Sequence, residues 1–134
     1  VQIKGKMVDF ALVLEDSDSL GAAATRLRIN ADKGVFSFNH TTHSPLLRRP
    51  IAVSIETKRQ GEHFQDALDQ LGVWTSAHYA RLTELLTAAG RSHIRPPMLP
   101  CLVAQGSDWK FIIAEKTLAG EVVRFWRPCC RSAQ

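Results

Sequence analysis

Two short stretches of this chain alternate apolar and polar residues with a period of two. One long stretch repeats apolar residues at helical spacing. Lys6-Met-Val-Asp-Phe-Ala-Leu-Val-Leu14 predicts a strand over Met7–Leu14 with an acid near its start. Ile51-Ala-Val-Ser-Ile-Glu-Thr-Lys58 predicts a second, buried strand. Strand side chains alternate between faces, so Ile51, Val53 and Ile55 share one face and Ala52, Ser54, Glu56 and Lys58 the other. From about Glu62 to Ala89, residues Phe64, Leu68, Leu71, Trp74 or Thr75, His78, Leu82, Leu85 and Leu86 recur on one helical face, and Gly90 closes the helix. Pro96, Pro97 and Pro100 bracket the entry to a strand over Leu99–Gln105. Gly106-Ser-Asp108 turns it into Trp109–Ala114, and residues 116–120 turn again into Glu121–Trp126. Arg127–Gln134 reads as a frayed tail.

Two strands, a helix and a three-stranded meander predict an α/β fold, a mixed β-sheet with flanking helices. The helix between Lys58 and Leu99 is long enough for a crossover, so strands 51–58 and 99–105 are expected to be parallel neighbours. Leu20–Leu47 carries the weakest periodicity. It predicts a short helix over Leu20–Leu27 capped by Ser19, a turn at Lys33-Gly34, and otherwise a long, loose connection. A chain of 134 residues is one domain by length, so 1–134 is read as a single domain.

Antiparallel pairing of the first two strands brings Asp9 towards Glu56 and Lys58. Ala11 and Val13 then face Ser54 and Ala52, while Val8, Phe10, Leu12 and Leu14 occupy the other face. Charges at the end of a buried strand are costly unless paired or bound to metal. A salt bridge at the strand end is the simplest reading. Two carboxylates converging beside a lysine also suit a hard cation such as Mg²⁺, with the carboxylates roughly 4–5 Å apart.

Charge sharpens this only a little. The formal net charge of +4 and a pI near 9.3 favour an anionic partner. Arg26, Arg28, Lys33, His40, His43, Arg48 and Arg49 gather in the long connection against the single acid Asp32. They form either a solvated loop or a track for a phosphate backbone. His40 and His43 lack the further Cys or His pair that zinc would need. Cys101, Cys129 and Cys130 form no disulfide framework and no metal-ligand spacing, so a reducing, intracellular setting is expected, the nucleus included. Asn39-His-Thr41 matches the glycosylation acceptor pattern. No apolar run is long enough to span a bilayer, and no membrane partner is expected.

Asp9 followed by Glu56-Thr57-Lys58 resembles the signature of the PD-(D/E)XK nuclease superfamily. The wording around it is similar to fungal proteins carrying a PD-(D/E)XK nuclease-like domain: Lys6-Met-Val-Asp-Phe10, Phe38-Asn-His-Thr-Thr42, Arg49–Lys58 and Gln70-Leu-Gly-Val-Trp74. The resemblance spans residues 6 to 127 and implies a restriction-endonuclease-like core. That core carries a helix before the first acidic strand, which the short stretch Val1–Lys6 does not supply, so a fragment of a longer chain is expected. The resemblance further implies a metal-dependent nuclease. Asp9 and Glu56 would bind Mg²⁺ or Mn²⁺, the Thr57 carbonyl would be a third ligand, and Lys58 would orient water. Gln70 and Trp74 match a Q-x-x-x-aromatic motif that some of these nucleases use near metal or DNA, with tryptophan where tyrosine is usual. The residues alone read Trp74 and His78 as packed core and Gln70 as the edge of the helical face. The expected partner is nucleic acid, DNA before RNA. The alternative is a nuclease-fold module without catalysis, acting in nucleic-acid or protein binding.

Overall fold

The computed structural model describes residues 8–29, 36–117 and 123–127. Strand β1 is Phe10–Val13, helix α1 is Asp18–Ile29, and a single 3-10 turn spans Ser44–Leu46. Strand β2 (Ile51–Lys58) leads into the 25-residue helix α2 (Phe64–Ala88). Strands β3 (Leu99–Gln105), β4 (Asp108–Lys116) and β5 (Val123–Trp126) follow. The five strands form one sheet in the order β1-β2-β3-β4-β5. Only β2 and β3 run parallel, because α2 returns the chain between them; the other neighbours are antiparallel. This is the mixed α/β sheet that the pattern predicts. The tight β3–β4 connection turns at Gly106, whose φ of +59° suits glycine. A Cβ there would also sit 3.1 Å from Gln60 Oε1.

The first two strands pair antiparallel as expected, with Phe10 opposite Ile55, Ala11 opposite Ser54 and Leu12 opposite Val53. Two corrections follow. Strand β1 begins only at Phe10, so Val8 and Asp9 precede the ladder, and Met7 lies outside the described residues. An irregularity between Leu12 and Val13 sets Val13 opposite Ile51, which displaces it from the expected partner Ala52.

Helix α2 covers one face of the sheet. Its Ala67, Leu68, Leu71, Trp74 and Tyr79 pack with Leu99, Cys101, Val103, Ile112 and Ala114. The Tyr79 hydroxyl donates to the Ala114 carbonyl at 2.7 Å, with the Pro97 carbonyl 3.0 Å away. Ser54, Glu56 and Lys58 belong to this helix-facing side, since the Trp74 indole N–H donates to Ser54 Oγ at 2.9 Å. On the opposite side Phe10, Leu12, Trp109, Phe111 and Trp126 are exposed, as is Leu14 just after β1.

The connection before β2 is tighter than its sequence suggests. Helix α1 starts at Asp18, with Ser17 Oγ accepting from the Leu20 N–H, so Ser17 takes the capping role expected of Ser19. Asn39 is buried and ties the loop to β2. Its Oδ1 accepts from the Ile51 N–H at 2.9 Å, and its Nδ2 donates to the carbonyls of Leu46 and Arg49. An amide so occupied is a structural bolt, and the glycosylation pattern at Asn39 is a chance match in the folded chain. Arg81 of α2 holds the same loop, donating to the Ser37 carbonyl at 2.6 and 3.1 Å. Thus residues 36–50 are anchored, contrary to the loose connection expected.

Candidate active site

Strand β2 ends at the sheet's rim, where its helix-facing side delivers Glu56 and then Lys58. Glu56 is 1% exposed, and a carboxylate buried alone would carry a large desolvation cost. Lys58 offsets that cost, its Nζ lying 3.2 Å from Glu56 Oε1. The same Nζ donates to Gln70 Oε1 at 2.5 Å. Gln70 lies early on α2, four residues before Trp74, so the turn that packs Trp74 against Ser54 also aims Gln70 at the lysine.

Asp9 reaches this region from the residue just before β1. Its Oδ2 accepts from the Thr57 N–H at 2.8 Å and from the Thr57 hydroxyl at 2.6 Å. Asp9, Glu56, Thr57, Lys58, Arg59, Glu62 and Gln70 line one open cleft of about 420 Å³. The residues that the sequence singled out as Asp9, Glu56, Thr57, Lys58 and Gln70 are therefore brought together.

Two members of the cleft were missed by sequence reasoning. Arg59 and Glu62 enter because the chain reverses at Gly61, whose φ is +90°. Glu62 Oε2 accepts from the Arg59 N–H at 2.7 Å. Gln105 braces the turn from β3, its Nε2 donating to the carbonyls of Arg59 and Glu62. The only signal was an acid placed just past a glycine break after the Glu-Thr-Lys segment.

The basic residues fare differently. Arg26, Arg48 and Arg49 are exposed, and none of them lines the cleft. The Arg28 side chain and Lys33 lie outside the described residues. His40 and His43 do not gather: His43 is exposed, whereas His40 turns inward against Trp74 and His78. The His40 ring meets the Trp74 edge at 4.1 Å and stacks on His78 at 5.1 Å. Burial pushes both imidazoles down to about 4, and the neighbouring His78 adds to the effect on His40. His78 is packed as expected, yet its Nδ1 has no hydrogen-bond partner among the described residues, and neither has either nitrogen of His40.

The donor set of the cleft is hard oxygen from Asp9 and Glu56, with Glu62 also in its lining. Among the described residues no group of three or more His, Cys, Asp or Glu side chains is placed to hold a metal by itself. Two carboxylates and solvent suit Mg²⁺, which keeps several waters, better than zinc, which wants a closed nitrogen and sulfur set.

Among the described residues no helix is long and apolar enough to cross a membrane. A family model described as the PD-(D/E)XK nuclease superfamily matches residues 1–129. No curated protein and no solved structure matches the chain.

Proposed function

From the premise that the chain belongs to the PD-(D/E)XK nuclease superfamily, with a restriction-endonuclease-like mixed sheet, we propose that it is a metal-dependent nuclease hydrolysing phosphodiester bonds. The observation that carries this is the cleft itself. Asp9, Glu56 and Lys58 line one open space, with the lysine held between Glu56 and Gln70. Asp9 and Glu56 would hold Mg²⁺ or Mn²⁺, with the Thr57 carbonyl as a third ligand. When bound, such a cation supplies Lewis acidity and lowers the proton affinity of a bound water.

The chain's own residues do the rest. Gln70 fixes the direction of the Lys58 ammonium, which donates into the cleft. There it orients the attacking water and stabilises charge growing on the phosphate oxygens. Glu56 Oε1, 3.2 Å from the same Nζ, helps hold the ammonium in place. Arg26, Arg28, Lys33, Arg48 and Arg49 would meet backbone phosphates away from the cut, DNA being the first substrate to try. Residues 1–134 would act as one nuclease domain in an intracellular setting.

The test pairs calorimetric Mn²⁺ titration with cleavage of labelled single- and double-stranded DNA and RNA. Lys58→Met is expected to keep Mn²⁺ binding and lose cleavage by about 10²-fold or more, as removal of a charge-stabilising donor does. Asp9→Asn is expected to weaken both. If Lys58→Met cuts as well as wild type, the lysine's role is wrong. Absence of wild-type cleavage on every polymer with every divalent metal moves the reading to a nuclease-fold module that binds without cutting.

A further inference from the structure

Thr57 lies between the two charged residues of β2, so strand alternation turns its side chain to the sheet face opposite theirs. Both its hydroxyl and its N–H nevertheless reach the Asp9 carboxylate, 48 residues away in sequence. The ladder explains how. The Thr57 N–H points towards β1, as its bond to Asp9 shows, two residues beyond the Phe10–Ile55 pair. A continued antiparallel ladder would offer it the main chain of Val8. Strand β1 stops at Phe10 instead, and Asp9 Oδ2 takes the donor. The carboxylate that lines the cleft is thereby also the last rung between the two strands.

Two donors on Oδ2 restrain the carboxylate's rotation, and neither of them occupies Oδ1. We propose that Thr57 is a positioning residue for the divalent cation, orienting Asp9 so that it binds through Oδ1 alone. This rests on the nuclease reading and adds to it a role for the Thr57 side chain. The hydroxyl pre-organises the ligand before any cation arrives, so its removal acts on cation affinity more than on the chemical step.

Thr57→Val keeps the branched shape and the N–H while deleting the hydroxyl; Thr57→Ser restores it. Mn²⁺ affinity by calorimetry is expected to fall about tenfold in Thr57→Val, the worth of one hydrogen bond to a charged group, and to recover in Thr57→Ser. The Mn²⁺ concentration for half-maximal rate should rise about tenfold in Thr57→Val and return towards wild type in Thr57→Ser. Mn²⁺ affinity unchanged in Thr57→Val, or lost equally in Thr57→Ser, overturns the proposal. Melting of the metal-free protein reads the contact separately. Thr57→Val should lower Tm by about 3–5 °C in the wild-type background and by about 1 °C or less beside Asp9→Ala. A wild type that binds no Mn²⁺ but keeps this coupling overturns both the nuclease reading and the positioning role, leaving the contact structural. A wild type that binds Mn²⁺ without the coupling overturns the proposal alone.

Discussion

Mild acid should cost this protein a large share of its stability through two side chains, His40 and His78. Both imidazoles are held down to about 4, against 6.5 when solvated, first by burial and in His40 also by the neighbouring His78. The unfolded chain therefore binds more protons than the folded one between those values, and stability must fall as pH drops through that window. The contribution is fully present above the unfolded value and fully lost below the folded one. At pH 5 a single group with these two values costs about 2 kcal/mol relative to neutral pH, so the pair costs about 4. His40 borders an open polar cleft lined also by Arg81 and Glu84, and water there screens part of its charge, which brings the pair to about 3 kcal/mol. The assay is urea unfolding followed by tryptophan fluorescence at several pH values from about 7.5 to 5, a window above the range where most carboxylates take up protons. His78→Gln keeps a polar side chain without the titration, and it should remove half or more of the pH slope whatever it does to absolute stability. A wild-type loss under about 1 kcal/mol across the window, or an unchanged slope in His78→Gln, would refute the reasoning.

Asn39→Ala strands the Ile51 N–H and the Leu46 and Arg49 carbonyls in or near the interior and should destabilise by about 3 kcal/mol or more in chemical unfolding. A loss under about 1 kcal/mol would show that the loop is not bolted there. Trp74→Phe leaves the buried Ser54 hydroxyl without its indole donor and should cost about 1–2 kcal/mol. The same variant should lose the blue-shifted part of the emission spectrum, because the remaining Trp109 and Trp126 are exposed.

Much of this was legible because two periods are unambiguous. The eight residues of β2 and the repeat along α2 fix a strand and a crossover helix, and together they dictate the parallel β2–β3 pair. Asp9, Glu56 and Lys58 share a cleft because strand parity and antiparallel pairing leave few other arrangements. The misses have separate causes. The bulge at Leu12/Val13 is a local choice of backbone that no alternation of side chains reports. Glu62 joined the cleft through the positive φ of Gly61, which is a property of the turn's geometry and not of its charge pattern. Asn39 read as a loop residue because its three backbone partners lie 7 to 12 residues away, beyond any local pattern. The engagement of Asp9 by Thr57 escaped for a related reason: period-two reasoning assigns faces, and a carboxylate standing in for a missing main-chain rung crosses between them.

Strand β1 sits at the edge of the sheet among the described residues, where no other described strand covers its outer main-chain groups, and Phe10 and Leu12 on it and Leu14 just after it are exposed. Such an edge is a template on which another molecule's strand could add, the first step of aggregation. Two features oppose it here. Four residues are too few to seed a long ladder, and Glu15, Asp16 and Asp18 follow at once, all exposed, as like charges that meet their own copies when two edges approach. Colloidal behaviour should then be governed by these three acids, although the chain as a whole is basic. High salt screens that local repulsion and acid neutralises it, so either condition exposes the apolar row to self-pairing.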